Sequence, residues 1–160
     1  MNLAGVDLGV HKVALAGFVS GDYHNTVWQT LATNRSLQLH ELAMSVRDTF
    51  GFWHIHQVWI EDTLVGNNRK YSIQLTEVRG AVMAALAMDF DVRLVNNKTW
   101  KKQIVGDGNA SKDSVRDYIH VTHGAYAPLC GSDQDLYDAT CIALYARHIN
   151  DQAQDLRLVP

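Results

Sequence analysis

The sequence predicts a mixed α/β fold: one five-stranded sheet, three antiparallel strands followed by two parallel ones, flanked by helices. Three observations predict it. Apolar stretches broken by Gly9-Val10-His11 and Gly21-Asp22 fill the chain up to Thr33, the pattern of a β-meander. Apolar residues at helical spacing follow, from Leu39 to Phe50. Beyond them strands and helices alternate, and a strand entered through a helical crossover lies parallel to its neighbour.

Taken in order, residues 3–8 form the first strand, 12–19 the second and 24–33 the third, the last with Val27, Trp28 and Leu31 as its apolar residues. Asn34 or Ser36 can cap the first helix, whose inward face is Leu39, Leu42, Ala43, Val46 and Phe50 and which Gly51 ends. Residues 56–61 are a short buried strand, expected beside the first. A polar loop at 67–70 leads to a long helix, 71–88, whose apolar residues cover more than half its circumference. That breadth implies burial on two sides, against the sheet and against a second subunit. Residues 91–95 make the fifth strand, and 96–111 are expected as loop. Ser111 can cap a helix reaching about His120; a second loop with Pro128 and Gly131 precedes a last helix from Asp133 to Asn150. Residues 1–150 are thus expected to form one domain, with 151–160 a loose C-terminal tail.

Composition narrows the class. A chain of 160 residues buries roughly 70% of its unfolded surface, enough for a core without staples. The longest apolar run, Ala81 to Met88, falls far short of the roughly 18 residues a membrane span needs. No basic region precedes the apolar N-terminal residues, so no secretory leader and a cytoplasmic location are expected. Cys130 and Cys141 match no zinc spacing and are expected as reduced thiols. His54 and His56 are the only close histidine pair; on a strand they share a face without any metal. The net charge of −3 argues against a nucleic-acid partner, but its distribution does not. Residues 93–112 hold five basic side chains against one acid, whereas 133–160 hold five acids against two arginines.

The acids carry the chemistry. Asp7 interrupts an apolar strand, where a carboxylate is costly unless paired or bound to metal; a turn-proximal Asp bonded to amides near Gly9 is the plainer alternative. Glu61-Asp62 closes the fourth strand, and either is equally a solvated strand end. If the two strands are parallel neighbours, Asp7 and Glu61 emerge at the same C-terminal sheet edge, where open α/β sheets bind ligands. Asp135 and Asp138 are three apart and share a helix face. Ser132 and Asp135 alternatively suit a capping box, an explanation that does not reach Asp138. Four carboxylates favour Mg²⁺ or Mn²⁺ over zinc. Two such ions can activate water and steady the leaving oxygen of a phosphodiester displacement, so no catalytic histidine is needed. Lys112 can add positive charge there, or be an exposed helix-start lysine. Trp100 is a candidate base-stacking or core residue.

These residues resemble the RuvC-type Holliday junction resolvases of the ribonuclease-H-like superfamily. The run 4–9, Ala-Gly-Val-Asp-Leu-Gly, is similar to that family's first strand, and Val58-Trp59-Ile60-Glu61 to its second catalytic strand. Arg79-Gly80 resembles the Arg-Gly pair of its long helix. The run 101–112, Lys-Lys-Gln-Ile-Val-Gly-Asp-Gly-Asn-Ala-Ser-Lys, is the most specific match, and Asp135-Leu136-Tyr137-Asp138-Ala139 resembles the closing helix. The resemblance covers residues 4 to about 146, with the motifs in order. It implies a ribonuclease-H-like fold and a metal site of Asp7, Glu61, Asp135 and Asp138 holding two Mg²⁺ or Mn²⁺ ions. Lys101 and Lys112 are implied as DNA contacts, with Lys102, Arg69 and Lys70 as further candidates. It also implies a homodimer through helix 71–88 that nicks opposed strands of a four-way junction. Where the family often carries an aromatic wedge after the catalytic Glu, this chain offers Leu64. The alternatives are a broader branched-DNA nuclease (forks, flaps), a nuclease on RNA or RNA–DNA hybrids, and a DNA-binding scaffold without activity. Gly5-x-Asp7-x-Gly9 also resembles an actin-like phosphate loop, but 160 residues leave no room for that fold's second lobe.

Overall fold

The computed structural model describes residues 1–62 and 68–157, the last two by backbone alone. Five strands form one sheet in the order β3-β2-β1-β4-β5: β1 (Leu3–Leu8), β2 (Lys12–Val19), β3 (Asp22–Gln29), β4 (Gln57–Asp62) and β5 (Asp91–Asn96). β1, β2 and β3 are antiparallel, and β1 pairs β4, and β4 pairs β5, in parallel. This is the predicted mixed sheet. Gly9 N–H donates to the Lys12 carbonyl at 2.7 Å and closes the β1–β2 turn. β3 ends at Gln29, earlier than expected, and Leu31 is exposed rather than a strand residue.

Two helices cover one face of the sheet. α1 (Arg35–Phe52) is capped by Asn34, whose side chain accepts from Leu37 N–H, and runs through Gly51. α2 (Arg69–Leu86) is capped by Asn68. Arg69 and Lys70 therefore sit in its first turn, not in a loop. On this face Ala4, Val6, Leu8, Val13, Leu15, Val58 and Ile60 pack against α1 and α2 residues such as Leu42, Val46, Val78 and Val82. The other face carries α3 (Asn97–Ile104), α4 (Lys112–Thr122), the short α5 (Ala127–Cys130) and α6 (Gln134–Arg157). There Leu3, Ala14, Ala16, Phe18 and Trp59 pack against Trp100, Val115, Ile119, Tyr137, Ile142 and Ala143. Strand alternation does the sorting: even residues of β1 face α1 and α2, odd ones face α6.

Two further elements differ from the sequence expectation. The segment after β5 is a helix, α3, not a loop; its start is capped by Asn96 and it buries Trp100 alone, so no apolar stripe announces it. α6 extends to Arg157, so helix occupies much of the stretch read as a loose tail. Its N-terminus is not closed by a Ser132–Asp135 box: Asp133 Oδ1 accepts the Asp135 N–H at 3.1 Å. His54 is in a turn with φ 52°, and His56 Nδ1 accepts the Asn2 N–H, so this pair is structural. Cys130 and Cys141 are free and buried. Among the described residues no helix is long and apolar enough to cross a membrane.

Candidate active site

β1 and β4 run side by side, Val6 opposite Ile60, so Asp7 and Glu61 are the next residues along at the same sheet edge. Alternation places both on the α6 face, with Leu3, Gly5 and Trp59. α6 crosses this face at close range. A Cβ built on Gly5 would lie 2.4 Å from the Ala139 carbonyl oxygen and from the Ala143 nitrogen, so only glycine permits the approach. The first turns of α6 thereby bring Asp135 and Asp138 over Asp7. A cleft of about 260 Å³ is lined by Asp7, Glu61, Asp135, Asp138, Lys101 and Lys112, with Asn97 and Tyr71. A larger groove of about 490 Å³ lies between β3 and α1, away from every acid of the cluster. The cleft is the chemically loaded one: four carboxylates and two lysines line it, whereas no acid of the cluster reaches the larger groove.

Asp7 is open to the cleft and otherwise enclosed. Burial pushes its carboxyl well above the usual range, and Asp138, Glu61 and Asp135 push in the same direction against Lys112. Burial, then Glu61, raises Asp138 from 3.8 to about 6, against Lys101, Lys112 and the Gln134 amide. Asp138 Oδ1 is buried and has no hydrogen-bond partner. Such an oxygen costs free energy unless a cation or proton meets it. As the side chains stand, no three His, Cys, Asp or Glu among the described residues form a closed cage for an ion. Two of the four acids have side-chain partners of their own. Asp135 Oδ2 pairs with Lys12 at 2.5 Å, and Lys112 is 3.8 Å from Oδ1. Glu61 accepts from Asn97 at 2.9 Å and from the Trp100 indole N–H at 3.0 Å.

The structure resolves choices the residues left open. Asp62 faces α2, where it pairs with Arg79, and so cannot share the cleft with Asp7. Asp133 pairs with Lys12 at 3.1 Å. Lys12 was not among the sequence candidates; a lone lysine at a strand start carries no signal. Trp100 is fully buried and does not stack on a base in this arrangement. Lys101 donates to the Ala110 carbonyl at 3.0 Å and lies over the Trp100 ring. Lys102, Lys112, Arg69 and Lys70 are exposed; of these only Lys112 lines the cleft. Leu64 lies outside the described residues.

The comparisons with known proteins bear on this cleft. The model of the family described as crossover junction endodeoxyribonuclease RuvC matches residues 11–144, well over half the chain. The chain belongs to the RuvC family. A RuvC of Rickettsia bellii is 35% identical over 85 residues, 52% of this chain and 53% of that protein. One of Hyphomonas neptunium is 35% identical over 95 residues, 58% and 54%. The chain thus spans about half the length of the curated relatives it matches. Thermus thermophilus RuvC superposes with a TM-score of 0.76 at 23% identity, covering 92% of this chain and 96% of that one. The same protein solved with a Holliday junction substrate gives 0.74 at 20% identity and the same coverage. At these identities the likeness speaks for the fold, the ribonuclease-H-like sheet of RuvC. Asp7 precedes the span matched by the family model, while Glu61, Asp135 and Asp138 fall inside it.

The raised Asp138 carboxyl has a measurable consequence for the metal-free protein. An unfolded Asp ionises near 3.8, the folded one near 6. The cost of the buried charge is absent below pH 3.8, grows between the two values and is complete above about pH 6. At pH 7 it amounts to up to about 3 kcal/mol. Asp138→Asn should therefore raise the melting temperature in EDTA at pH 7 by several degrees, with little gain at pH 4. Melts at the two pH values check it; an equal or larger gain at pH 4 would refute the charge explanation.

Proposed function

We propose that this protein is a structure-selective DNA endonuclease that resolves Holliday junctions by paired, symmetric nicks. The observation that carries the reading is one cleft in which four acids from three elements meet Lys101 and Lys112, in a RuvC-family chain. The junction seen with the Thermus relative is the substrate transferred to this one. In this reading Asp7, Glu61, Asp135 and Asp138 hold two Mg²⁺ or Mn²⁺ ions. The donors fit: they are all carboxylate oxygens, suited to a hard divalent cation, and the unpartnered Asp138 Oδ1 needs a positive partner. When bound, the ions would supply activated water and charge stabilisation at the leaving oxygen. The residues of the chain do the rest. Lys112, at the mouth, adds positive charge beside the scissile phosphate. Lys101, Lys102, Arg69 and Lys70 hold the flanking backbone, contacts that position rather than read sequence.

Paired nicks require two such sites, and a homodimer through the expected helix 71–88, here α2, supplies them. Its outer face presents Ile73, Gly80 and Ala84, with Ile73 half exposed, and Met88, almost fully exposed, lies in the turn just beyond the helix end. That apolar, small-residue surface supports the reading. The test is a four-way junction labelled on each strand in turn, in Mg²⁺ or Mn²⁺, with an RNA–DNA hybrid as competitor. Symmetric nicks on two opposed strands, lost in EDTA and little affected by the hybrid, are expected. Cleavage that persists in EDTA would remove the metal assignment; preferential cleavage of the hybrid, or of forks and flaps, would replace the substrate.

A further inference from the structure

Glu61 is the one acid of the cleft whose two oxygens both accept hydrogen bonds from named side chains. Asn97 Nδ2 reaches Oε1 at 2.9 Å and Trp100 Nε1 reaches Oε2 at 3.0 Å. Both donors sit on α3, three residues apart and hence on one helix face. Neither can turn elsewhere at low cost. Trp100 is fully buried, its indole N–H is donor-only, and a buried indole N–H needs a partner. The Asn97 amide nitrogen must face Glu61, because a carboxylate only accepts. Asn96 caps the helix start, and Lys101 lies over the outer face of the Trp100 ring, 5.5 Å from its centre. The rotation of the carboxylate is thereby held, and each oxygen of this cleft-lining residue keeps lone-pair capacity beyond the bond it accepts.

We propose that Asn97 and Trp100 are positioning residues that orient the Glu61 carboxylate for a divalent cation and so set the metal affinity of the cleft. The inference rests on the reading of Glu61 as a metal ligand. Ligating carboxylates held by outer hydrogen bonds lose roughly 10–100-fold in metal affinity when those bonds are removed. Neither donor needs to touch the ion or the DNA to have this effect. The short helix read from the sequence as loop thus has a stated task.

The test is Mn²⁺ binding to the intact protein without DNA, read by electron paramagnetic resonance of the free ion, with melts in EDTA alongside. Asn97→Ala removes one donor at a half-buried, helix-compatible position; Trp100→Phe keeps most of the buried volume and removes the N–H. Each should weaken Mn²⁺ binding about tenfold or more, and Asn97→Ala should leave the EDTA melting temperature nearly unchanged. In the wild type, the Trp100 indole proton resonance should move on adding Mg²⁺, and in Glu61→Gln it should not. Wild-type affinity in Asn97→Ala and Trp100→Phe, with loss only in Glu61→Gln, would overturn the positioning role and leave Glu61 a ligand. Unchanged Mn²⁺ binding in Glu61→Gln, or none in the wild type, would remove the ligand reading and this inference with it.

Discussion

Asp7→Asn should reduce junction cleavage at least about 10³-fold, some 4 kcal/mol of lost transition-state stabilisation, and leave junction binding intact. Asn keeps the shape and removes the charge. Asp7 stands where three other acids press on it, and burial already disfavours its ionised form. A carboxylate held at that cost is accounted for if a cation neutralises it when the site is loaded. The amide would bring neither the charge nor a second anionic oxygen. Binding is a separate matter, because Lys101 and Lys112 remain in the cleft and removing an anion there lessens repulsion of phosphate. Cleavage assays and gel-shift titrations in Ca²⁺, run on one preparation, separate the two effects. Undiminished cleavage would end the metal assignment; equal loss of binding and cleavage would make Asp7 a structural residue.

Gly5→Ala should destabilise the fold by roughly 3 kcal/mol, the upper part of the overpacking range, and lower the melting temperature by about 10 °C. The added methyl would meet the Ala139 carbonyl oxygen, the Ala143 nitrogen and the Ile142 carbonyl carbon, all backbone atoms of α6. Trimming a side chain cannot relieve that contact, so Gly5→Ala combined with Ala143→Gly should show no rescue. The helix must move instead, carrying Asp135 and Asp138 away from Asp7. A displacement near 1 Å can cost about 100-fold in rate. Cleavage measured well below the melting transition should therefore fall as well. A variant as stable and active as the wild type would mean that α6 is not held against β1 as described.

How much of this was legible beforehand follows from the range over which each signal acts. Turn glycines, strand alternation and helical spacing are local, and they predicted the strand directions now seen and β1 beside β4. That placed Asp7 and Glu61 at one edge. α3 was missed because it fully buries only Trp100, with Ile104 partly buried one turn on, and an apolar face of two residues leaves too short a periodic trace. The Glu61–Asp62 choice was decided by family likeness in the sequence and by strand alternation in the structure, where Asp62 turns away to Arg79.

The sequence by itself determined the architecture and nominated the acids, because period and turn chemistry are written within single segments. Only the tertiary structure decided what each acid touches. Lys12 meets Asp133 and Asp135 across 121 and 123 intervening steps of chain, and Trp100 meets Glu61 across 39. Such pairs form when α6 and α3 close over the sheet, and no residue pattern on either side announces its partner. The environment of the four acids, with Asp138 Oδ1 left bare and Glu61 held at both oxygens, is a property of that packing.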